Sequence, residues 1–169
     1  MRKMTRTVTL LLSMVFAILQ GCYSFSGASI PSHLTNVAVP LFDDTSLAGI
    51  AQFRETITRS IINKIESQSS LTVESDPDRA NSVLTGAIVS YVDEPSQLGS
   101  GTERAVTNRI TIVIRGDFDD KVKNVRIFSQ TFVGFADYTV GSYSAQQTAI
   151  QSAINQAVDD MFNRMISNW

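Results

Sequence analysis

The stretch Ala105-Val-Thr-Asn-Arg-Ile-Thr-Ile-Val-Ile-Arg-Gly-Asp-Phe118 decides the fold. Apolar side chains at Ile110, Ile112 and Ile114 alternate with polar ones, Arg109 among them. Successive side chains of a strand point to opposite faces of the sheet, so this alternation predicts one long strand with a buried face and an exposed face. At ~3.3 Å per residue, such a strand is roughly 45 Å long.

The residues that follow predict the other half of a hairpin. Residues 119–124 are expected to form the turn, and residues 125–136 are expected to return as a second strand. The register of a hairpin depends on its turn, and we assume here that Phe118 lies opposite Val125. With that pairing, Ile114 faces Ser129 on the buried side of the sheet.

This register predicts that cations and aromatic rings share the opposite face. The residues concerned are Arg109, Arg115, Arg126, Phe128 and Phe132. Arginine binds phosphate through paired hydrogen bonds, and exposed aromatic rings on a strand mark contact surfaces. We therefore expect this face to bind a partner. The alternative is that loops cover the two rings and that water alone surrounds the arginines.

The rest of the chain supplies two one-sided helices and shorter strands. Strands are predicted over residues 36–42, 71–74 and 82–93, and helices over residues 48–67 and from residue 145 to the chain end. Apolar residues in both helices recur at steps of three and four, which is typical of a helix with one buried face. The order β-α-β-β-β-β-α therefore predicts an α+β fold, a two-layer sandwich with two helices on one face of a mostly antiparallel or mixed sheet.

The N-terminus has the pattern of a lipoprotein signal. A basic start is followed by an uncharged apolar run too short to span a membrane comfortably, and the run ends in Leu19-Gln20-Gly21-Cys22. This tetrapeptide resembles the bacterial lipobox, in which the cysteine is acylated, although Gln20 departs mildly from the usual pattern. The alternative is an ordinary free or buried cysteine. We expect residues 1–21 to be a signal peptide, 22–35 a lipidated tether and 36–169 a single domain.

The lipobox also predicts where the protein resides. No acidic residue follows Cys22 in the sequence Tyr23-Ser24-Phe25-Ser26. Nothing there resembles an inner-membrane retention signal, so we expect a lipid anchor in the outer membrane with the domain on the periplasmic side.

Composition excludes several function classes. Of 169 residues, 43% are hydrophobic and 18% charged, with one cysteine and one histidine, so neither an intrachain disulfide nor a cysteine-rich zinc site is possible. The formal net charge of −2 argues against nucleic acid as a partner. Pairs of acids such as Asp43-Asp44 do not match a calcium-loop spacing. We expect no catalytic residues, no cofactor and no metal ion.

Short landmarks distributed along the chain resemble one known family. They are residues 21–31 (GCYSFSGASIP), 37–42 (VAVPLF), 84–86 (LTG) with Tyr91, 108–112 (NRITI), 136–138 (ADY) and 168–169 (NW). In this order and spacing they resemble the LptE family of lipopolysaccharide-assembly lipoproteins. The resemblance implies a non-catalytic protein that plugs the lumen of the outer-membrane β-barrel LptD, helps that barrel to assemble and binds lipopolysaccharide.

A second interpretation remains open. Residues 37–42, the helix that follows and residues 71–73 also resemble small domains of periplasmic assembly factors of the TolB or curli-secretion type. On that interpretation the chain is an interaction module of another envelope machine and does not act on lipopolysaccharide. The long hairpin and the terminal helix fit it less well.

The lipobox generates a first testable prediction. Cys22→Ala removes the thiol that accepts the lipid, so we expect an unprocessed precursor that no longer fractionates with lipoproteins. Metabolic labelling with a fatty acid and the mass of the purified chain measure both effects. Normal acylation of this variant would show that the lipobox has been wrongly assigned.

Overall fold

A computed structural model describes residues 30–50, 52–98 and 105–167. The elements are β1 (Asn36–Ala38), β2 (Asp43–Asp44), α1 (Gln52–Gln68), β3 (Thr72–Glu74), β4 (Ser82–Leu98), β5 (Ala105–Asp120), β6 (Val125–Thr139) and α2 (Tyr143–Ile166). Two helices and a six-stranded mixed sheet make an α+β fold, which confirms the predicted class. Among the described residues, no helix is both long and apolar enough to cross a membrane.

The sheet is built around three long strands. Its order is β3-β1-β4-β5-β6, with β2 also paired to β4. The short strand β1 runs parallel to β3 and β4, whereas β4, β5 and β6 are antiparallel neighbours. The predicted strand over residues 36–42 is divided into β1 and β2 by a stretch that contains Pro40, which has no N–H to give to a ladder.

Both helices pack on one face of the sheet and share a single hydrophobic core. On β5 the buried side chains include Ile110, Ile112 and Ile114, as the alternation predicted. The helix α1 begins at Gln52, later than predicted, because Leu47 and Gly49 have left-handed backbones with φ of 62° and 67°.

The predicted register of the β5–β6 hairpin is wrong by three residues. Asp120 pairs with Val125, but Phe118 pairs with Phe128 instead of Val125. Two of the three residues come from a shorter turn, since only residues 121–124 lie between the strands. The third comes from a bulge, because Ile127 has no partner between the pairs Asp119–Arg126 and Phe118–Phe128. A shift of an odd number of residues exchanges the two faces of a strand.

The bulge therefore moves Phe128 and Phe132 to the buried face, and their predicted exposure is wrong. The two side chains are only 5% and 4% exposed. Their ring centroids lie 6.0 Å apart in an edge-to-face arrangement, and Phe128 also lies 5.8 Å from Phe118. The guanidinium of Arg164, on α2, stacks 5.3 Å from the Phe128 centroid. These rings belong to the core beneath the helices.

Close contact between α2 and β6 requires a glycine at position 134. A Cβ added there would lie 1.8 Å from the carbonyl oxygen of Ala153 on α2. Next to it, the Phe135 backbone N–H donates to the side-chain oxygen of Gln156 at 2.8 Å. Helix and edge strand thus touch through their backbones as well as through side chains.

This contact yields a stability prediction. Gly134→Ala should destabilise the fold by about 3 kcal/mol or more, because the helix backbone cannot move away without opening the core. Gly116→Ala is the matched control, since its Cβ would meet only side chains, the flexible end of Met161 at 3.2 Å and a ring carbon of Phe132 at 3.3 Å, each of which needs to shift by only a few tenths of an ångström. We expect that control to change stability by about 1 kcal/mol or less. Urea denaturation measures both variants, and equal effects would contradict the close contact.

Candidate functional site

The outer face, meaning the side of β4, β5 and β6 that the helices leave uncovered, carries an apolar patch. The patch consists of Val92, Val113, Val133 and Phe135, which occupy neighbouring rows of the ladder. Val133 is 46% exposed and Phe135 is 49% exposed. Apolar side chains gathered on an otherwise polar face are typical of a contact surface.

Arg109 lies at one border of this patch and is held in place by two interactions. Its Nε and Nη2 donate to the two carboxylate oxygens of Asp137 at 2.7 and 3.0 Å. The guanidinium also lies 5.0 Å from the Phe135 ring centroid. The hydrogen bond with Asp137 and that carboxylate's charge raise the pKa of Arg109. The same hydrogen bond lowers the pKa of Asp137. The pair fixes the Arg109 side chain beside the ring.

The other two predicted arginines lie on the outer face closer to the hairpin turn. Arg126 makes paired hydrogen bonds to the Asp119 carboxylate at 2.8 and 3.1 Å. Arg115 lies 3.6 Å from Asp117 and is 57% exposed. That distance is too long for a hydrogen bond. One carboxylate oxygen of Asp117 is buried without a hydrogen-bond partner within the described part of the chain. Arg115 is therefore the predicted arginine least engaged within the protein.

Only part of the predicted site therefore lies on the outer face. Arg109, Arg115 and Arg126 share the outer face, but Phe128 and Phe132 lie on the opposite side in the core. Their place is taken by Phe135 and its neighbours in the apolar patch, which the predicted register had missed. The sequence held one signal of this change, because the adjacent apolar residues Ile127 and Phe128 break the alternation of β6.

A separate polar cluster holds the far end of the sheet together, where α2 begins. The Asp93 carboxylate accepts hydrogen bonds from Tyr138 at 2.8 Å, from Asn108 at 2.8 Å and from Gln146 at 2.9 Å. Burial by itself raises the pKa of Asp93, but these three hydrogen bonds outweigh it and lower the pKa. The cluster joins β4, β5, β6 and α2 through one ionised group.

His33 has a defined partner although the sequence placed it in the tether. Its Nε2 lies 2.6 Å from a carboxylate oxygen of Asp120, whose side chain is only 4% exposed. No group of three or more histidine, cysteine, aspartate or glutamate side chains could hold a metal ion in the ranges that the structure describes. The proposed lipidation site, Cys22, lies outside the described residues.

Comparison with known protein families identifies the family of this chain. Residues 34–165 match the family profile LptE, described as lipopolysaccharide-assembly, and this range is most of the sequence. The chain belongs to the LptE family. The family resemblance identified from the sequence is therefore confirmed. A comparison with curated proteins gave no match.

Several solved structures share the fold of this LptE-family chain. PelC from Paraburkholderia phytofirmans, solved as a dodecamer, is 14% identical with a TM-score of 0.56, and 84% of this chain aligns with 96% of PelC. A Xanthomonas campestris protein is 11% identical with a TM-score of 0.58, over 83% of this chain and 90% of that one. Rare lipoprotein B from Shewanella oneidensis is 11% identical with a TM-score of 0.54, over 77% and 93% of the two chains. At these identities the similarity shows the fold alone.

The Asp93 cluster predicts a dependence of stability on pH. Since folding lowers the pKa of Asp93 below its usual 3.8, its ionised form contributes stability above that value. The contribution is lost as the pH falls through the folded-state pKa. Asp93→Asn should therefore cost about 2 kcal/mol at neutral pH, and the difference from the parent protein should shrink on acidification.

Chemical denaturation at a series of pH values measures this difference. Glu66→Gln, which removes an exposed carboxylate on α1, is the matched control and should follow the parent curve. A gap between Asp93→Asn and the parent that stays constant down to pH ~2 would contradict the role of the ionised carboxylate.

Proposed function

We propose that this LptE-family chain is an outer-membrane lipoprotein, anchored on the periplasmic side through Cys22, that plugs an LptD-like β-barrel. On this proposal it helps the barrel to assemble and assists the insertion of lipopolysaccharide into the outer leaflet. The family match over residues 34–165 carries the proposal. It assigns the chain no catalytic step, no cofactor and no metal ion.

The chemistry of the outer face supports a role in contact with a barrel wall or a glycolipid. The lumen of a large outer-membrane barrel is polar, so a plug needs a mostly polar surface with a few apolar contacts. The apolar patch is small, and ion pairs lie at its borders, including Arg109 with Asp137. Because these pairs are already formed, they can face a polar wall without leaving an unpaired charge.

Arg115 is the residue on this face best placed to bind a charged group of the partner. It is exposed, and its nearest carboxylate, on Asp117, lies beyond hydrogen-bond distance. A phosphate of lipopolysaccharide or a carboxylate of the barrel wall would each accept paired hydrogen bonds from the guanidinium. We propose Arg115 together with Phe135 as the centre of the binding surface, with Arg109 and Arg126 as its bordering cations.

Association with a barrel tests the proposal. The parent protein, extracted from outer membranes, should bring a large β-barrel with it in equal amount. In Arg115→Glu combined with Phe135→Ser, the association should weaken about tenfold or more, because a central charge and a central ring are both lost. Arg59→Glu, an exposed reversal on α1, is the matched control and should retain the barrel.

Further measurements distinguish loss of the contact surface from loss of folding. Circular dichroism and the urea midpoint show whether the double variant is folded. A folded double variant that retains the barrel would refute the outer face as the contact surface. Absence of a barrel from the parent preparation would favour the alternative, a module of another envelope machine. Titration of the variants with purified lipopolysaccharide then shows whether Arg115 serves the glycolipid or the barrel.

A further inference from the structure

The described N-terminal segment is attached to one particular end of the sheet. His33 contacts Asp120 at 2.6 Å, and the Thr35 hydroxyl donates to the Asn81 side chain at 2.7 Å. The carbonyl of Asn81 in turn accepts from the Lys121 backbone N–H at 2.9 Å. We call this region, formed by the turns at residues 75–81 and 121–124, the hairpin end. The chain thus enters the domain at the hairpin end.

The length of chain before this attachment limits how far the hairpin end can lie from the proposed lipid anchor. Seven residues lie between Cys22 and Ile30, the first described residue. Even fully extended, they span less than ~30 Å. The opposite end of the sheet, near Val140, lies roughly 50 Å from the hairpin end, because β5 has 16 residues. An anchor at Cys22 therefore holds the hairpin end within reach of the bilayer, whereas the other end is free to lie far from it.

The side chains of the β5–β6 turn suit a phospholipid surface. Val122 and Val125 are 56% and 51% exposed. Lys121 contacts the Pro77 carbonyl at 2.5 Å and lies 3.7 Å from Asp78. Lys123 makes no ion pair with any residue of the described ranges. Lysine stems bury along apolar surface while their ammonium groups reach phosphate. The exposed carboxylates of Asp76 and Asp78 on the neighbouring turn oppose an anionic leaflet, so the contact depends on the two valines and on Lys123.

We propose that, in the lipidated protein that has not entered a barrel, the hairpin end rests on the phospholipid headgroups of the leaflet that holds the Cys22 acyl chains, so that β4, β5 and β6 extend away from that surface. The inference rests on the lipid anchor in the proposed function.

The orientation can be measured on the full lipidated protein without any barrel. Acylation consumes the thiol of Cys22, the chain's one cysteine, so Val122→Cys and Val140→Cys each introduce a single free thiol. Each variant is labelled with the same fluorophore and reconstituted into vesicles of phosphatidylethanolamine and phosphatidylglycerol. Some of the lipids carry a nitroxide quencher on the headgroup. Both positions are exposed valines, which makes Val140→Cys the matched control.

We expect the nitroxide to quench the label at position 122 strongly and the label at position 140 scarcely at all. Equal quenching at both positions would mean that the domain lies flat on the membrane. No quenching at either position would mean that neither end of the domain contacts the headgroups. Both results overturn the inference. A reactive thiol in the parent protein would show that Cys22 is not acylated, which also overturns it. Because these vesicles contain neither barrel nor lipopolysaccharide, the result is independent of the partner test above.

Discussion

The pairing of β6 with β5 is the constraint on which the rest of the structure depends. One unpaired residue, Ile127, shifts the phase of β6 by an odd step, and every side chain beyond it changes face. As a consequence Phe128 and Phe132 fill the core beneath α2, and Gly134 comes to the position where the helix backbone touches the strand. The core and the outer face are therefore two results of the same bulge.

The same register determines the electrostatics of the outer face. Along the sequence, the middle of the chain is locally basic, with six cations and three acids between residues 104 and 126. In the sheet, Arg109 pairs with Asp137, a carboxylate supplied by the returning strand from outside that interval. Charge counted along a segment thus overstates the charge of a surface, because a hairpin brings distant carboxylates opposite its cations. The outer face is therefore less basic than the sequence of this segment indicates.

The sequence predicted the elements with a strong local pattern, although the start of α1 and the strand over residues 36–42 differ from the prediction. The alternation around Ile110 predicted β5 and its buried face, and the three- and four-residue steps predicted both helices. It was insufficient where structure depends on pairing between distant residues, since the register of β6 follows from a turn length and a bulge that no periodicity specifies. For that reason the three arginines were placed on the correct face, whereas Phe135 was missed and Phe128 was misplaced. The adjacent apolar pair Ile127-Phe128, at the position of the bulge, was a local sign of the change.

Different interactions hold the two ends of the sheet formed by β4, β5 and β6. The helix α2 has 24 residues and covers roughly 36 Å, less than the strands beneath it. Where α2 begins, the Asp93 carboxylate joins β4, β5, β6 and α2 through three hydrogen bonds. At the hairpin end the contacts of His33 and Thr35 fix the incoming chain to the turns. Polar contacts thus hold the sheet at both of its ends, and the apolar core beneath the helices holds it between them.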